Sequence, residues 1–319
     1  RDTWIGTESG VYIYNLRTEK YTHLRSSEYD PYSLSDNAIY SFCKDREDGI
    51  WIGSYFGGVN YYPRSYTYFE KYYPKGIENS LHGKRVREFC RDNYGVLWIG
   101  TEDGGLNRFN LNTKEFSFFA PSAGFTNIHG LCLVDDKLWV GTFSKGLKII
   151  DTRTGTVLKT YQKNSSPRSL IDNSIFAICK TATGDIYLGT MFGLVRYNKQ
   201  SDDFDRIPEL NGKFIYDIKE DSAGNIWLAT YANGVYCYNV NDRKWKNYVH
   251  DDKDNTSLPY NKVSSVFEDS HRQIWLTTQG GGFCIFHPES ETFTSYNSTN
   301  GLPSDVVYQI VEDLSLIHI

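Results

Sequence analysis

One four-residue line recurs seven times in this chain and limits what it can fold into. It reads aromatic, aliphatic, small, then Ser or Thr. The first four copies are Trp4-Ile5-Gly6-Thr7, Trp51-Ile52-Gly53-Ser54, Trp98-Ile99-Gly100-Thr101 and Trp139-Val140-Gly141-Thr142. Tyr187-Leu188-Gly189-Thr190, Trp227-Leu228-Ala229-Thr230 and Trp275-Leu276-Thr277-Thr278 follow. Six of the seven tryptophans occupy this slot, and the steps between copies are 47, 47, 41, 48, 40 and 48 residues. That period is the length of a four-stranded propeller blade.

The rest of each repeat also reads as strand. After the slot comes a Gly that opens a second run, as in Gly58-Val59-Asn60-Tyr61-Tyr62 and Gly234-Val235-Tyr236-Cys237-Tyr238. A third run carries aromatics, such as Trp245 with Tyr248 and Phe293 with Tyr296, and a polar loop follows, often Ser-Leu-x-x-Asn. A fourth run, Ile39 to Cys43 or Val86 to Cys90, leads back to the tryptophan through turns such as Asp92 to Gly95. Short alternating runs split by Asp, Asn and Gly are the signature of meandering antiparallel strands. With 16% aromatic residues, 27 Gly and one Met, the composition suits pleated surfaces and tight turns. The expected fold is all-β: a seven-bladed β-propeller of four-stranded antiparallel blades spanning residues 1–313. Its tryptophan strands begin near 4, 51, 98, 139, 187, 227 and 275.

The termini refine this expectation. The chain starts at a tryptophan strand and finishes with Val306 to Asp313, a strand of the kind that precedes one. Residues 305–312 are therefore expected to pair beside Trp4 to Thr7, closing the ring onto the N-terminal blade and hiding both sheet edges. Residues 314–319, Leu-Ser-Leu-Ile-His-Ile, read as a translated sequencing-library adapter; the alternative is a poor copy of the repeat. The chain begins at Arg1 without a Met, so it reads as a fragment or processed product.

Charge and motifs narrow the function. A formal net charge of −5 gives no basic stripe for nucleic acid. No apolar run approaches the roughly 20 residues of a membrane helix. Cys43, Cys90 and Cys179 each lie eight residues before a slot aromatic, and Cys132 lies seven before Trp139. Equivalent positions in different blades are too far apart for a disulfide, so these thiols are expected in the core. The recurring tryptophans are likewise expected to be buried between blades, Trp51, Trp98, Trp139, Trp227 and Trp275 among them. Gly280-Gly281-Gly282 lacks the strand–loop–helix context of a phosphate cradle and reads as a turn. The seven histidines are scattered, with no metal-ligand spacing, and no catalytic motif is present. No catalytic residue, metal or cofactor is expected.

Taken whole, the repeat of Asp/Gly turn, Ile-Trp-Ile-Gly-Thr, Gly-Gly-Leu-like step and terminal aromatic resembles the two-component regulator propeller repeat. Asp48-Gly49-Ile50-Trp51-Ile52-Gly53-Ser54 with Gly57-Gly58-Val59, and Gly95 to Thr101 with Gly104-Gly105-Leu106, carry the resemblance. The copies at Tyr187 and Trp275 depart from it. The resemblance implies the extracytoplasmic, hence periplasmic, sensor of a hybrid two-component histidine kinase of the Bacteroidetes type, responding to an oligosaccharide or other small ligand. It implies kinase activity for a parent protein, not for this piece. The implied partners are the ligand and adjacent receptor domains, with a homodimer admitted and nucleic acid excluded. A protein-binding scaffold and a propeller enzyme of lyase or quinoprotein type are the competing classes.

Specificity is expected where the repeat leaves residues free to vary. Loops after the tryptophan strands carry Tyr55, Phe56, Glu102, Asp103, Phe143, Lys145, Phe192, Tyr231, Asn233 and Gln279. Before or within the innermost strands come Arg85, Arg87 and His129. Aromatic faces beside planar charged groups suit a sugar, and Arg85 or Arg87 could fork onto a uronic acid carboxylate.

Overall fold

The structure is a computed structural model that describes residues 2–30, 32–63, 70–119 and 124–312. Among these residues every extended element is a β-strand in an antiparallel sheet, and two short 3-10 turns are the only helical pieces. Seven sheets follow one another along the chain, as a seven-bladed β-propeller requires. They fall into two compact units, residues 1–81 and 82–319.

The first unit holds two three-stranded sheets, Asp2–Thr7 with Gly10–Asn15 and Lys20–Leu24, then Ile39–Lys44 with Ile50–Ser54 and Val59–Tyr62. The second unit holds five four-stranded meanders, whose innermost strands are Val86–Arg91, Ile128–Val134, Ile175–Lys180, Ile215–Glu220 and Val263–Glu268. The predicted four-stranded blade is thus present in five sheets. The first sheet has no strand before Asp2–Thr7, and residues 64–69, which follow the second sheet, lie outside the described residues.

The repeated Thr or Ser has a mechanical reason. Its hydroxyl donates to the carbonyl of the Gly that opens the next strand: Thr142 to Gly146 at 2.9 Å, Thr230 to Gly234 at 2.6 Å and Thr278 to Gly282 at 3.0 Å. The same oxygen accepts a loop N–H, from Lys145 at 2.8 Å and Asn233 at 2.9 Å. One side chain therefore satisfies two backbone groups in a tight connection. The Gly is forced at Gly234, where φ is +71° and a Cβ would stand 2.1 Å from the Tyr248 carbonyl oxygen.

The core lies between successive blades of the second unit. Trp139, Leu147 and Ile149 pack against Ile175, Ile186, Leu188 and Val195 of the next sheet. Trp227 and Val235 meet Val263, Val266 and Leu276 in the same way. Each such side chain contributes about 1.5–3 kcal/mol on full burial. The innermost-strand thiols sit opposite the slot aromatics, Cys90 facing Trp98 and Cys179 facing Tyr187 in register, and all six cysteines are free.

Two expectations of burial fail: the Cys43 thiol is exposed, and so is Trp51, which pairs with it. Trp51 is 44% exposed, whereas Trp98, Trp139 and Trp227 are buried and Trp275 is partly buried. Trp98 is enclosed by Phe125, Leu138, Val140 and Ile150, most of them from the following sheet. Trp51 instead rests on Tyr61 of its own sheet, with ring centroids 4.6 Å apart. Burial of the slot residue is set by what covers it, not by the slot.

Residues 305–312 do not form a continuous strand. Against the last blade they form one isolated bridge, Gln279 with Val306, with further hydrogen bonds around it. Their docking nevertheless repeats the joint between earlier blades. The Gly282 N–H reaches the Asp305 carbonyl at 2.8 Å, as Gly234 reaches Asn261 at 2.9 Å and Gly146 reaches Asn173 at 3.0 Å. The Glu312 carboxylate accepts from the N–H and hydroxyl of Ser270, as Glu268 does from Ser222. The segment therefore occupies the place of an innermost strand after the seventh sheet. The first sheet itself pairs Trp4 to Ile13 within a three-stranded ladder. The expected adapter, residues 314–319, lies outside the described residues.

Candidate functional site

Each described innermost strand breaks register at its second residue. The shifts fall between Val86 and Glu88, Ile128 and Gly130, Ile175 and Ala177, Ile215 and Asp217, and Val263 and Ser265. In the first unit the same shift falls between Ile39 and Ser41. A β-bulge re-aims the extra residue's side chain. In the second unit the residues so placed are Arg87, His129, Phe176, Tyr216 and Ser264.

Four of them form a connected surface. The Arg87 guanidinium lies 5.2 Å from the Tyr216 ring centroid. Phe176 stands 5.9 Å from Tyr216 and 4.6 Å from His129. The first loop residue after each tryptophan strand extends this surface, because its N–H bonds back to the residue entering an innermost strand. Glu102 does so to Arg85, Phe143 to Asn127, Tyr231 to Phe214 and Gln279 to Lys262. Glu102 stands 3.7 Å from both Arg85 and Arg87. Phe143 is 5.7 Å from His129. Tyr231 stacks on Phe214 at 5.2 Å, with the Lys262 ammonium 4.2 Å from its ring. The result is an aromatic and cationic mouth with one acidic partner.

His129 is tuned to stay neutral. Burial, and secondarily Arg87, pull its imidazole down to about 4. Its Nε2 lies 2.7 Å from the Asn127 Oδ1, an acceptor, so Nε2 carries the proton and Nδ1 is left as an acceptor. That Nδ1 is buried without a hydrogen-bond partner, and the Ser264 hydroxyl is in the same condition. Unpaired buried polar atoms cost about 1–3 kcal/mol each and point to a ligand or water that would pair them.

The expected residues thus separate. Arg85, Arg87, Glu102, His129, Phe143, Tyr231 and Gln279 come together at this mouth. The Asp103 carboxylate ties its loop to the segment before the innermost strand, accepting from the N–H groups of Lys84 and Arg85. Those bonds hold its carboxyl below the usual range. Lys145, Asn233 and Phe192 give their backbone N–H groups to the Thr that closes each loop. Tyr55 and Phe56, in the first unit, stack on one another at 4.3 Å, and Tyr55 also stacks on Tyr40. Phe176, Tyr216, Phe214 and Lys262 escaped the sequence reading. Aligning the second residue of every innermost strand would have found the first two.

The blades repeat, while the residues at this mouth differ in chemistry from blade to blade. The family model described as two component regulator propeller matches residues 33–56, 80–103 and 209–232. Each match runs from the polar loop through the bulged innermost strand to the loop beyond the slot, or nearly so. In those three segments the chain is similar to the two-component regulator propeller repeat.

Over 180 residues it is 27% identical to Histidine kinase P4 of Formosa agariphila, covering 54% of this chain and 13% of that protein. Among solved structures it resembles the extracellular domain assigned to a hybrid two component system of B. thetaiotaomicron. The identity is 23% and the TM-score 0.53, over 98% of this chain and 48% of the other. A second extracellular domain from that organism, assigned to a one component system, gives 18% identity and a TM-score of 0.55, over 94% and 48%. Virginiamycin B lyase of Staphylococcus aureus shares the fold at 14% identity and a TM-score of 0.54, over 69% and 72%. The chain spans about half the length of those extracellular domains and far less of the kinase. No helix among the described residues is long and apolar enough to cross a membrane.

Proposed function

We propose that this chain is the ligand-receiving propeller of a hybrid two-component sensor histidine kinase, placed in the periplasm, and that it binds an oligosaccharide. Catalysis belongs to the parent receptor. The propeller contributes recognition, and its adjacent receptor domains are its partners in passing the signal on. The observation that carries this reading is the mouth built by Arg87, His129, Phe176, Tyr216, Phe143 and Tyr231. Sugar rings present apolar C–H faces that stack on aromatics and hydroxyls that bond to planar polar groups. Arg87 adds a fork for an acidic sugar. The extracellular assignment of the similar domains and the kinase relative support the receptor context.

The test is calorimetry of the chain against a panel of neutral and uronic acid oligosaccharides, with Arg87→Ala and Tyr231→Ala beside the wild type. Stacking and charge-assisted contacts are each expected to contribute about 1–3 kcal/mol, a loss on the order of tenfold to a hundredfold per variant. A glycan that both variants bind as tightly as the wild type would place recognition elsewhere.

A further inference from the structure

Continuous with the mouth, the innermost strands of residues 82–312 line an open cavity of about 520 Å³. Small-molecule sites occupy roughly 300–1,000 Å³. The bulge residues Arg87, Phe176, Tyr216 and Ser264 line its outer layer. The next residue of each strand lines the layer beneath, and in this position the repeat favours small side chains: Gly130, Ala177 and Ser265. Glu88 and Asp217 depart from that habit, and they do so for different ends.

Asp217 serves the scaffold. Its carboxylate accepts the N–H of Ile218 at 2.8 Å and, from the next blade, that of Val266 at 3.0 Å. Glu88 replaces a small residue with a carboxyl that faces the cavity near Asp217, Arg87 and Lys219. Burial, reinforced by Asp217, pushes that carboxyl up to about 8, so at neutral pH it keeps a proton to donate. Ser264 is the independent sign of an occupant. It is 4% exposed, it lines the cavity, and its hydroxyl has no hydrogen-bond partner.

We propose that this cavity is a binding site for a single neutral sugar unit, either a free monosaccharide or the terminal residue of an oligosaccharide lying across the mouth. This rests on the glycan reading above and adds selectivity for a chain end. A sugar hydroxyl both donates and accepts. The lining answers with the Glu88 donor, the Ser264 hydroxyl and the Gln309 amide, while Phe176 and Tyr216 offer faces for the apolar side of the pyranose. With Glu88 protonated, Asp217 is offset by Lys219 and Arg87 by Glu102 at the mouth, so the cavity favours neither an anion nor a cation.

The experiment is calorimetry with six neutral monosaccharides (glucose, galactose, mannose, xylose, arabinose and fucose) and with a panel of neutral oligosaccharides in linear and cyclised forms. The proteins are wild type, Glu88→Ala, Glu88→Gln, Ser264→Val and Tyr231→Ala, each checked for an unchanged melting curve. A free sugar as occupant shows as a monosaccharide that binds wild type and Tyr231→Ala alike. A chain end shows as a linear glycan that binds while its cyclic form does not. In either case Glu88→Ala and Ser264→Val lose about tenfold or more in affinity, and Glu88→Gln, which keeps a donor, loses less. Linear and cyclic glycans that bind equally, untouched by the cavity variants and lost in Tyr231→Ala, would overturn the cavity site and leave the mouth reading standing. No binding of any glycan to the wild type would overturn both.

Discussion

The carboxylate of Asp92 accepts the indole N–H of Trp98 at 2.9 Å, and the same aspartate binds the N–H groups of Tyr94 and Val96 with its other oxygen. One residue therefore fixes the turn and satisfies the buried slot tryptophan six positions on. Asp45 with Trp51, Asp221 with Trp227 and Asp269 with Trp275 repeat the pairing at 2.8–3.0 Å. Trp139 follows a shorter hairpin through Asp135 and Asp136, and its indole nitrogen is buried without a partner.

Asp92→Ala is expected to unsettle the third blade nearly as much as removing the tryptophan. It strands a buried indole N–H and two turn N–H groups, at about 1–3 kcal/mol for each group left unpaired. Trp98→Ala should cost about 3–5 kcal/mol by cavity formation. Trp51→Ala should cost less than half of that, because its ring is already part exposed. Denaturant unfolding of the three variants checks the order, and equal losses for Trp51 and Trp98 would contradict the burial pattern.

A joint between two blades is titratable. Asp202 accepts from Lys159, from Tyr161 at 2.5 Å and from Tyr197 at 2.6 Å, bonds that pull its carboxyl down to about 2. A depressed carboxylate stabilises the fold above its unfolded value of about 4, and that stability fades as pH falls toward 2. Asp202→Asn should lower the melting temperature by roughly 2–4 °C at pH 7. The gap to wild type should close as the pH approaches 2. A gap that persists there would mean that shape, not charge, holds the joint.

Ending the chain at residue 304 removes the Asp305 carbonyl from the Gly280 and Gly282 N–H groups and Glu312 from Ser270. The seventh blade should then open first. Amide exchange across Ile274–Thr278 and Phe283–His287 is expected to accelerate well before that of Ile186–Thr190. Uniform acceleration, or none, would show that residues 305–312 do not hold that edge. Glu312→Gln should reproduce a fraction of the effect.

The repeat made the blades legible because their constraints are local. The hydroxyl of Thr230 and the positive φ of Gly234 must recur wherever that loop recurs, and so must the small slot residue. A Cβ on Gly141 would lie 2.7 Å from Ile175 of the next blade, and one on Gly189 equally close to Ile215. The mouth was only half legible. His129 stands out as the polar residue of an apolar strand, and Arg87 as a cation at the start of its own. Phe176 and Tyr216 look like ordinary strand aromatics, since a bulge is a property of pairing that no residue type announces. The Asp103 carboxylate is spent on the backbone N–H groups of Lys84 and Arg85, a use of a polar loop residue that its type does not announce either.

On the proposed function, ligand is received at the bulge-built mouth. Hydrogen exchange of the chain with and without a bound oligosaccharide tests it most directly. Protection should concentrate at residues 85–88, 127–130, 214–217 and 231, where Arg87, His129, Tyr216 and Tyr231 converge. Protection confined to the outermost strands, such as Lys244–Tyr248 or Thr292–Tyr296, with the mouth unchanged, would contradict it.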